Sequence, residues 1–290
     1  MTMLPNEGLL QQFYVSCCDP LIFTDEQSTI HFVNPAALEF FGYAHDELIG
    51  QSIKLLIPAE HHQKHHFFQD NYLKNPLPRP MGSGLKLSAC HKNGDSLPVD
   101  ISLCPIKDKD SAMIAIVIRD IREHRSMEEK LYFLAYHDHL TGLMNTEALY
   151  KALDEHIIKK STFAIFLIDI DDFKKVNDSF GHAIGNQLLV AFCNRLKIIF
   201  SKDEIIARIG GDEFSCVMTL HRFEEAQSTA KIMLQQLSLP YVLGDATINL
   251  SVSIGISLFP KDATESRLLL AQADQAMYRV KKQGKNNFSF

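Results

Sequence analysis

No apolar run in this 290-residue chain exceeds the length of a β-strand, which excludes a membrane-spanning helix. Basic residues are outnumbered, 29 Lys and Arg against 35 Asp and Glu, so the chain offers no basic field to a polymeric nucleic acid. The first seven residues lack both a basic region and a long apolar core, and no secretory signal is expected there. C-x-x-C spacing is absent: the six cysteines are scattered, and the adjacent Cys17 and Cys18 are a poor disulfide pair. Free thiols in a reducing cytoplasm are the expectation. What remains is the composition of a globular chain with room for two domains of ordinary size.

The most informative stretch is Ala207-Arg208-Ile209-Gly210-Gly211-Asp212-Glu213-Phe214, flanked by Ile205-Ile206 before and Cys216-Val217-Met218 after. Two apolar runs joined by paired glycines and two acids predict a β-hairpin, with the glycines supplying positive φ at the turn. Adjacent carboxylates repel, and their pairing makes sense opposite a divalent cation or a metal-bound polyphosphate. Taken alone, the tip is equally an ordinary acidic turn. Upstream, Phe163 to Ile168 is a continuous apolar run, the pattern of a central strand buried on both faces. It delivers Asp169 at its C-terminal end, ahead of Ile170-Asp171-Asp172-Phe173-Lys174-Lys175-Val176-Asn177-Asp178.

With Asp138-His139-Leu140-Thr141-Gly142-Leu143-Met144-Asn145 before these and Lys281-Lys282-Gln283-Gly284-Lys285-Asn286 after, the chain from about 130 to 290 resembles the GGDEF family, the diguanylate cyclases. The resemblance implies a palm-like, ferredoxin-like α/β sandwich of the nucleotidyl cyclase type. It implies GTP as substrate and cyclic di-GMP as product. Asp169 and Asp212, with the Ile170 carbonyl, would bind Mg²⁺, two ions per site with Mn²⁺ as a substitute. Glu213 would be the base for the attacking 3′-hydroxyl. Backbone amides near Asp172 and Phe173, together with Lys174, Lys281 and Lys285, would hold phosphates, and Gly210 and Gly211 would let backbone approach the nucleotide. The side chains of Asp171 and Asp172 are expected to cap the following helix or be solvated. Asn177 falls on the first guanine-contacting position. The second, in Gly181-His182-Ala183-Ile184-Gly185-Asn186, is Asp in the family and Asn186 here. Two further departures are Thr146 in place of an Arg, and Ser201-Lys202-Asp203-Glu204 in place of the product-inhibition motif Arg-x-x-Asp.

The N-terminal part reads as a helix at 8–16, strands at 21–24 and 29–33, helices at 35–41 and 44–48, and a longer helix at 59–73. Strands at 85–91, 99–104 and 112–119 follow, with an Asn-Gly turn at 91–95. Asn34-Pro35-Ala36-Ala37, Phe41-Gly42-Tyr43, Lys92-Asn93-Gly94-Asp95 and Val117-Ile118-Arg119-Asp120-Ile121-Arg122, in this order, resemble a PAS domain, an antiparallel sheet cradling a cavity. His61, His62, His65 and His66 lie in the long helix, and His61, His65, Phe68 and Tyr72 share a face of it. His65 falls where haem-binding PAS sensors carry their proximal ligand and is the candidate haem ligand. The distal position falls on Leu85, without the polar Arg often found there. A packed or surface histidine is the alternative. Flavin is disfavoured by the missing photoreceptor cysteine motif and the absence of tryptophan.

Between the two, Met127, Leu131 and Leu134 follow heptad spacing in a helix that would join sensor to effector, either as a coiled coil or as a single amphipathic helix on its own domain. The expected organisation is α+β: a PAS domain at 1–120, a helical linker at 121–137 and a GGDEF domain at 138–290. Catalysis would require a homodimer in the cytoplasm, with no membrane or nucleic-acid partner. A GGDEF domain that has lost activity and binds nucleotide as a signalling module is the competing reading, as is a cyclase with relaxed specificity making mixed cyclic GMP–AMP.

Overall fold

The structure, a computed structural model, describes residues 7–81, 87–107, 112–201 and 204–290. The chain divides into two compact units, Met1–Glu129 and Lys130–Phe290.

In the first unit, α1 (Glu7–Ser16) leads to β1 (Leu21–Thr24) and β2 (Ile30–Val33), joined through Asp25-Glu26-Gln27-Ser28. Asn34 fixes the next step. Its Oδ1 accepts from the amides of Ala37 and Leu21, at 3.0 and 2.8 Å, so one buried side chain starts α2 (Pro35–Phe41) and ties it to β1. Then come α3 (His45–Leu48), two short 3₁₀ turns at Ile53–Leu56 and Ala59–His61, and α4 (His62–Lys74). The helix expected from 59 thus begins as a 3₁₀ turn.

Four strands close the unit: β3 (Arg79–Met81), β4 (Ser88–Cys90), β5 (Ser96–Lys107) and β6 (Ala112–Asp120). They form an antiparallel sheet ordered β2-β1-β6-β5-β3, with β4 also on β5. Three-residue β3, with proline at its centre, has no alternation by which sequence could reveal it. Residues 82–86, including Leu85, lie outside the described residues. The core gathers Ile22, Ile30, Phe41, Leu48, Val99 and Ile118.

α5 (Arg122–Tyr136) follows as one helix in which no residue is buried; Met127, Leu131 and Leu134 are all exposed.

The second unit begins with α6 (Thr146–Ile158) and β7 (Phe163–Ile170), then α7 (Phe173–Ile199), β8 (Ile205–Arg208) and β9 (Glu213–Thr219). α8 (Glu224–Leu237), the hairpin β10 (Tyr241–Leu243) and β11 (Ala246–Ile248), β12 (Val252–Phe259), α9 (Ser266–Lys282) and β13 (Asn287–Ser289) complete it. The five-stranded sheet runs β13-β12-β7-β9-β8, antiparallel except for β12 with β13. All eight residues of β7 are buried. Ala164, Phe166, Ile168 and Ile170 pack with Leu188, Phe192 and Leu196 of α7, while Phe163 and Ile165 pack with Leu149 and Leu153 of α6 and Leu269 of α9. Alternate faces of one apolar strand therefore serve two helical layers, which is why the run is continuous. Each of the Phe, Ile and Leu side chains among them contributes about 1.5–3 kcal/mol on burial.

α9 lies flush on β12. A Cβ at Gly255 would stand 1.9 Å from the Ala273 carbonyl oxygen, so only glycine permits this approach. All six cysteines are free thiols, and among the described residues no helix is long and apolar enough to cross a membrane.

Candidate active site

Register brings the acids together. β7 pairs with β9 so that Asp169 stands opposite Glu213, and the Ile170 amide donates to the Asp212 carbonyl at 3.2 Å. Asp169, Ile170, Asp212 and Glu213 thus share one end of the sheet, at the tip of the β8–β9 hairpin. The Ile209 amide closes that tip by donating to the Glu213 carbonyl at 2.9 Å. One expectation is corrected: neither Gly210 nor Gly211 has positive φ. Space is left open instead, since a Cβ at Gly211 would meet nothing within 4 Å and one at Gly210 only Glu213 Oε2 at 3.5 Å.

The segment before α6 buttresses this hairpin. The Arg208 guanidinium donates to both Asp138 oxygens, at 3.0 and 3.1 Å, and to the Gly211 carbonyl at 2.7 Å. Burial by itself pushes the Asp138 carboxyl up. The Thr141 hydroxyl and amide and the Arg208 guanidinium outweigh it, leaving the carboxyl below its ordinary range. The Arg208 amide donates to the Met144 carbonyl at 2.8 Å. Thr146, where the resemblance leads one to expect Arg, donates its hydroxyl to the Ile209 carbonyl at 3.0 Å. Sequence reasoning did not anticipate that contact, which spans 63 positions.

Lysines meet the acids. Lys281, near the C-terminal end of α9, places Nζ 2.6 Å from Asp169 Oδ2, and Lys285 places Nζ 3.0 Å from Asp172 Oδ1. Asp169 is only 8% exposed. Burial raises its pKa, Lys281 draws it back, and Asp212 and Glu213 push it up again, leaving it above its ordinary value. Asp172 stands at the N-cap position of α7 in a left-handed conformation, φ 59°, but its side chain makes no capping bond. It pairs with Lys285 and Lys175 instead, and these hold its carboxyl below the ordinary value.

Asp171 also departs from expectation. It neither caps nor meets solvent: it is 6% exposed and accepts from Ser251 Oγ at 2.6 Å, Ser253 Oγ at 2.7 Å and the Asn286 amide at 3.2 Å.

The expected phosphate and base positions lie on α7. Phe173 is buried at its first turn and Lys174 is exposed beside it, with the unsatisfied amides of a helix start. Gly181, at φ 82° and ψ 159°, breaks α7 into two helical pieces. Asn177 lies before the break and the exposed Asn186 after it. A Cβ on the buried Gly185 would stand 1.9 Å from Asn177 Oδ1, so the Asn177 amide rests directly on backbone next to Asn186.

In the first unit, a cavity of about 390 Å³ is lined by Phe41, Ile101 and Ile116 from one side and by His61, His65 and Tyr72 from the other. His65 is partly buried in that wall, whereas His62 Nε2 bonds the Ile57 carbonyl at 2.8 Å.

Known proteins resemble this chain in both of its units. The family model described as "Diguanylate cyclase, GGDEF domain" matches residues 135–287, and a PAS domain model matches residues 19–123. The diguanylate cyclase DgcM of Escherichia coli is 27% identical over 97% of this chain and 68% of its own length. The bifunctional diguanylate cyclase/cyclic di-GMP phosphodiesterase MucR of Pseudomonas aeruginosa is 36% identical over 56% of this chain and 24% of its own. The chain spans about a quarter of the length of several curated relatives. Among solved structures, the isolated GGDEF domain of TpbB (YfiN) from Pseudomonas aeruginosa is 34% identical, with a TM-score of 0.50 over 53% of this chain and 93% of that one. An acidic hairpin clamped to its strand and a family model spanning more than half the residues lead to one conclusion: the chain belongs to the GGDEF diguanylate cyclase family, behind a PAS domain.

Proposed function

We propose that this protein condenses two GTP molecules into cyclic di-GMP and two pyrophosphates, under control of its PAS domain. The observation that carries the reading is the convergence of Asp169, Asp212 and Glu213 at one sheet end, with Lys281 and Lys285 beside them. The donors suit Mg²⁺. Among the described residues no group of three or more His, Cys, Asp or Glu side chains could hold an ion by itself, and what Asp169, Asp212 and the Ile170 carbonyl would offer are hard oxygens. Mg²⁺ prefers such oxygens, completed by water and substrate phosphates, and Mn²⁺ accepts the same donors. The raised pKa of Asp169, buried among like charges, is the environment a cation relieves.

In this reading Asp169, Asp212 and the Ile170 carbonyl would hold two ions, which would supply Lewis-acid polarisation of the phosphoryl oxygens and a lowered pKa at the attacking hydroxyl. Glu213 takes the proton of the 3′-hydroxyl. Lys174, Lys281, Lys285 and the amides at Asp172 and Phe173 neutralise and orient the triphosphate. Gly210 and Gly211 give the nucleotide room, and Asn177 and Asn186 face the base. Each domain loads one GTP, and two must meet as a homodimer so that each hydroxyl attacks the other's α-phosphate.

Incubating the purified protein with GTP and Mg²⁺, then separating products by chromatography, tests this. No cyclic di-GMP with either Mg²⁺ or Mn²⁺ would leave a nucleotide-binding signalling module, a role open to GGDEF domains that have lost activity. Asn186 favours a second reading, in which ATP enters and mixed cyclic GMP–AMP forms.

The PAS cavity is the candidate ligand site, its size within the range of small-molecule pockets. Haem is the candidate occupant in this reading, with His65 in the wall to supply the imidazole and Lys64 and Arg79, also in the lining, to meet propionates; a packed wall histidine is the alternative. A Soret band lost in His65→Ala and kept in His62→Ala tests it; a colourless protein after growth with haem precursor leaves His65 as a wall residue.

A further inference from the structure

Three donors converge on one buried carboxylate whose role none of the motifs accounts for. Asp171 Oδ1 accepts from Ser253, and Oδ2 from Ser251 and from the Asn286 amide. Its own amide donates to the Ser251 carbonyl at 3.0 Å. The partners lie 80, 82 and 115 positions away: Ser251 just before β12, Ser253 within it, and Asn286 on the loop that follows α9. A buried charge is tolerated only when donors satisfy it, and here they do. With its oxygens occupied in this way, Asp171 is not placed to serve as a metal ligand like Asp169.

The geometry of that loop shows what the carboxylate holds. Gly284, Lys285 and Asn286 are successive left-handed residues, at φ 112°, 65° and 50°. Two of the three carry side chains, for which this region is strained. Such strain persists where surrounding contacts over-determine it. Asp171 bonds the amide of Asn286, and the Lys285 amide bonds the Val280 carbonyl at 3.1 Å, so Lys285 is pinned on both sides. Across from it Asp172, the neighbour of Asp171, is also left-handed, and its carboxylate receives the Lys285 ammonium. One buried side chain therefore fixes the backbone on both sides of the Asp172–Lys285 pair.

We infer that Asp171 is a positioning residue: it locks the Gly284–Asn286 turn so that the Lys285 ammonium stands ready for a nucleotide triphosphate beside the start of α7. The inference rests on the proposed reading of Lys285 as a phosphate-binding group, and its test separates the two. Asp171→Asn keeps the shape but loses the charge, and Ser251→Ala removes one donor with less disturbance of the core. In the purified full chain, both variants should speed hydrogen exchange at the Asn286 amide relative to amides of β7, a readout that needs no nucleotide. Asp171→Asn should also raise the KM for GTP about tenfold, with kcat changed far less, as expected when a charged contact to bound substrate is misplaced. In a Lys285→Ala background the same substitution should add less than about twofold, because the group it positions is already gone. Unchanged exchange at Asn286 in both variants, or a full tenfold loss that persists without Lys285, would overturn the inference. A wild-type chain that fails to bind GTP in calorimetry would instead overturn the reading of Lys285, while the exchange arm still decides what Asp171 holds.

Discussion

Lys281 Nζ stands 2.6 Å from Asp169 Oδ2, so the cation expected on phosphate and the carboxylate expected on metal neutralise each other. Without a counter-charge, a carboxylate at 8% exposure facing Asp212 and Glu213 would be costly to ionise. The lysine offsets part of that cost, and an arriving ion must share or displace that contact.

Removing the lysine should therefore act in opposite directions on metal and nucleotide. In Lys281→Gln the KM for GTP is expected to rise about tenfold, the usual scale for one charged hydrogen bond. The Mn²⁺ concentration that half-saturates the nucleotide-free protein should fall, since the competing ammonium is gone. Mn²⁺ titration followed by electron paramagnetic resonance checks the second effect. Weaker Mn²⁺ binding in the variant would contradict the competition.

Loss of the acids should stop the chemistry with the fold intact. Asp169→Asn, Asp212→Asn and Glu213→Gln are each expected to slow cyclisation by about a hundredfold or more. Pyrophosphate release, with circular dichroism as the folding control, gives the answer. A folded Glu213→Gln protein that turns over normally would remove the base assignment.

The Asp138–Arg208 pair should show itself in acid. Its side chains are 16% and 12% exposed, and breaking such a pair by Asp138→Asn is expected to cost about 3 kcal/mol at neutral pH. Because the folded carboxyl lies below its ordinary value of 3.8, its contribution is present above that value and is lost as pH falls through the lower folded value. Urea unfolding should thus find wild type and variant converging as pH drops below about 4. A gap that stays constant into that range would deny the pair its role.

Asn186 bears on base choice. Aspartate accepts from both N1–H and the 2-amino group of guanine, whereas an amide offers one acceptor and one donor. In the proposed reading the lost charge-assisted bond, about 1.5–3 kcal/mol, should lower guanine preference by roughly ten- to a hundredfold. The amide also matches adenine N1 and the 6-amino group, so ATP incorporation is expected in mixed-nucleotide reactions, and Asn186→Asp should restore strict GTP use. Chromatography of products from equimolar GTP and ATP decides. Cyclic di-GMP as sole product at every ratio would show that Asn186 only weakens guanine binding.

Local pattern made much of this legible. The apolar run of β7 announced a central strand and so placed Asp169 at its end, and the hairpin motif placed Asp212 and Glu213. What stayed hidden was long-range. Asp171 reads as a helix-start acid until strand pairing carries Ser251 and Ser253 to it. Thr146 reads as a plain substitution until the hairpin folds onto it. Gly210 and Gly211 misled in another way: the residue type fitted a left-handed turn, but neither adopts positive φ.

Clearance governs α9. With the Gly255 hydrogen replaced by a methyl, the Ala273 carbonyl would have to retreat by about 1.5 Å to reach ordinary van der Waals distance. The helix that retreats is the one bearing Lys281, two turns further along, and a misplacement of about 1 Å can cost a hundredfold in rate. A hydrogen atom on the face of β12 that carries α9 thus acts as a machining tolerance for the ammonium at Asp169.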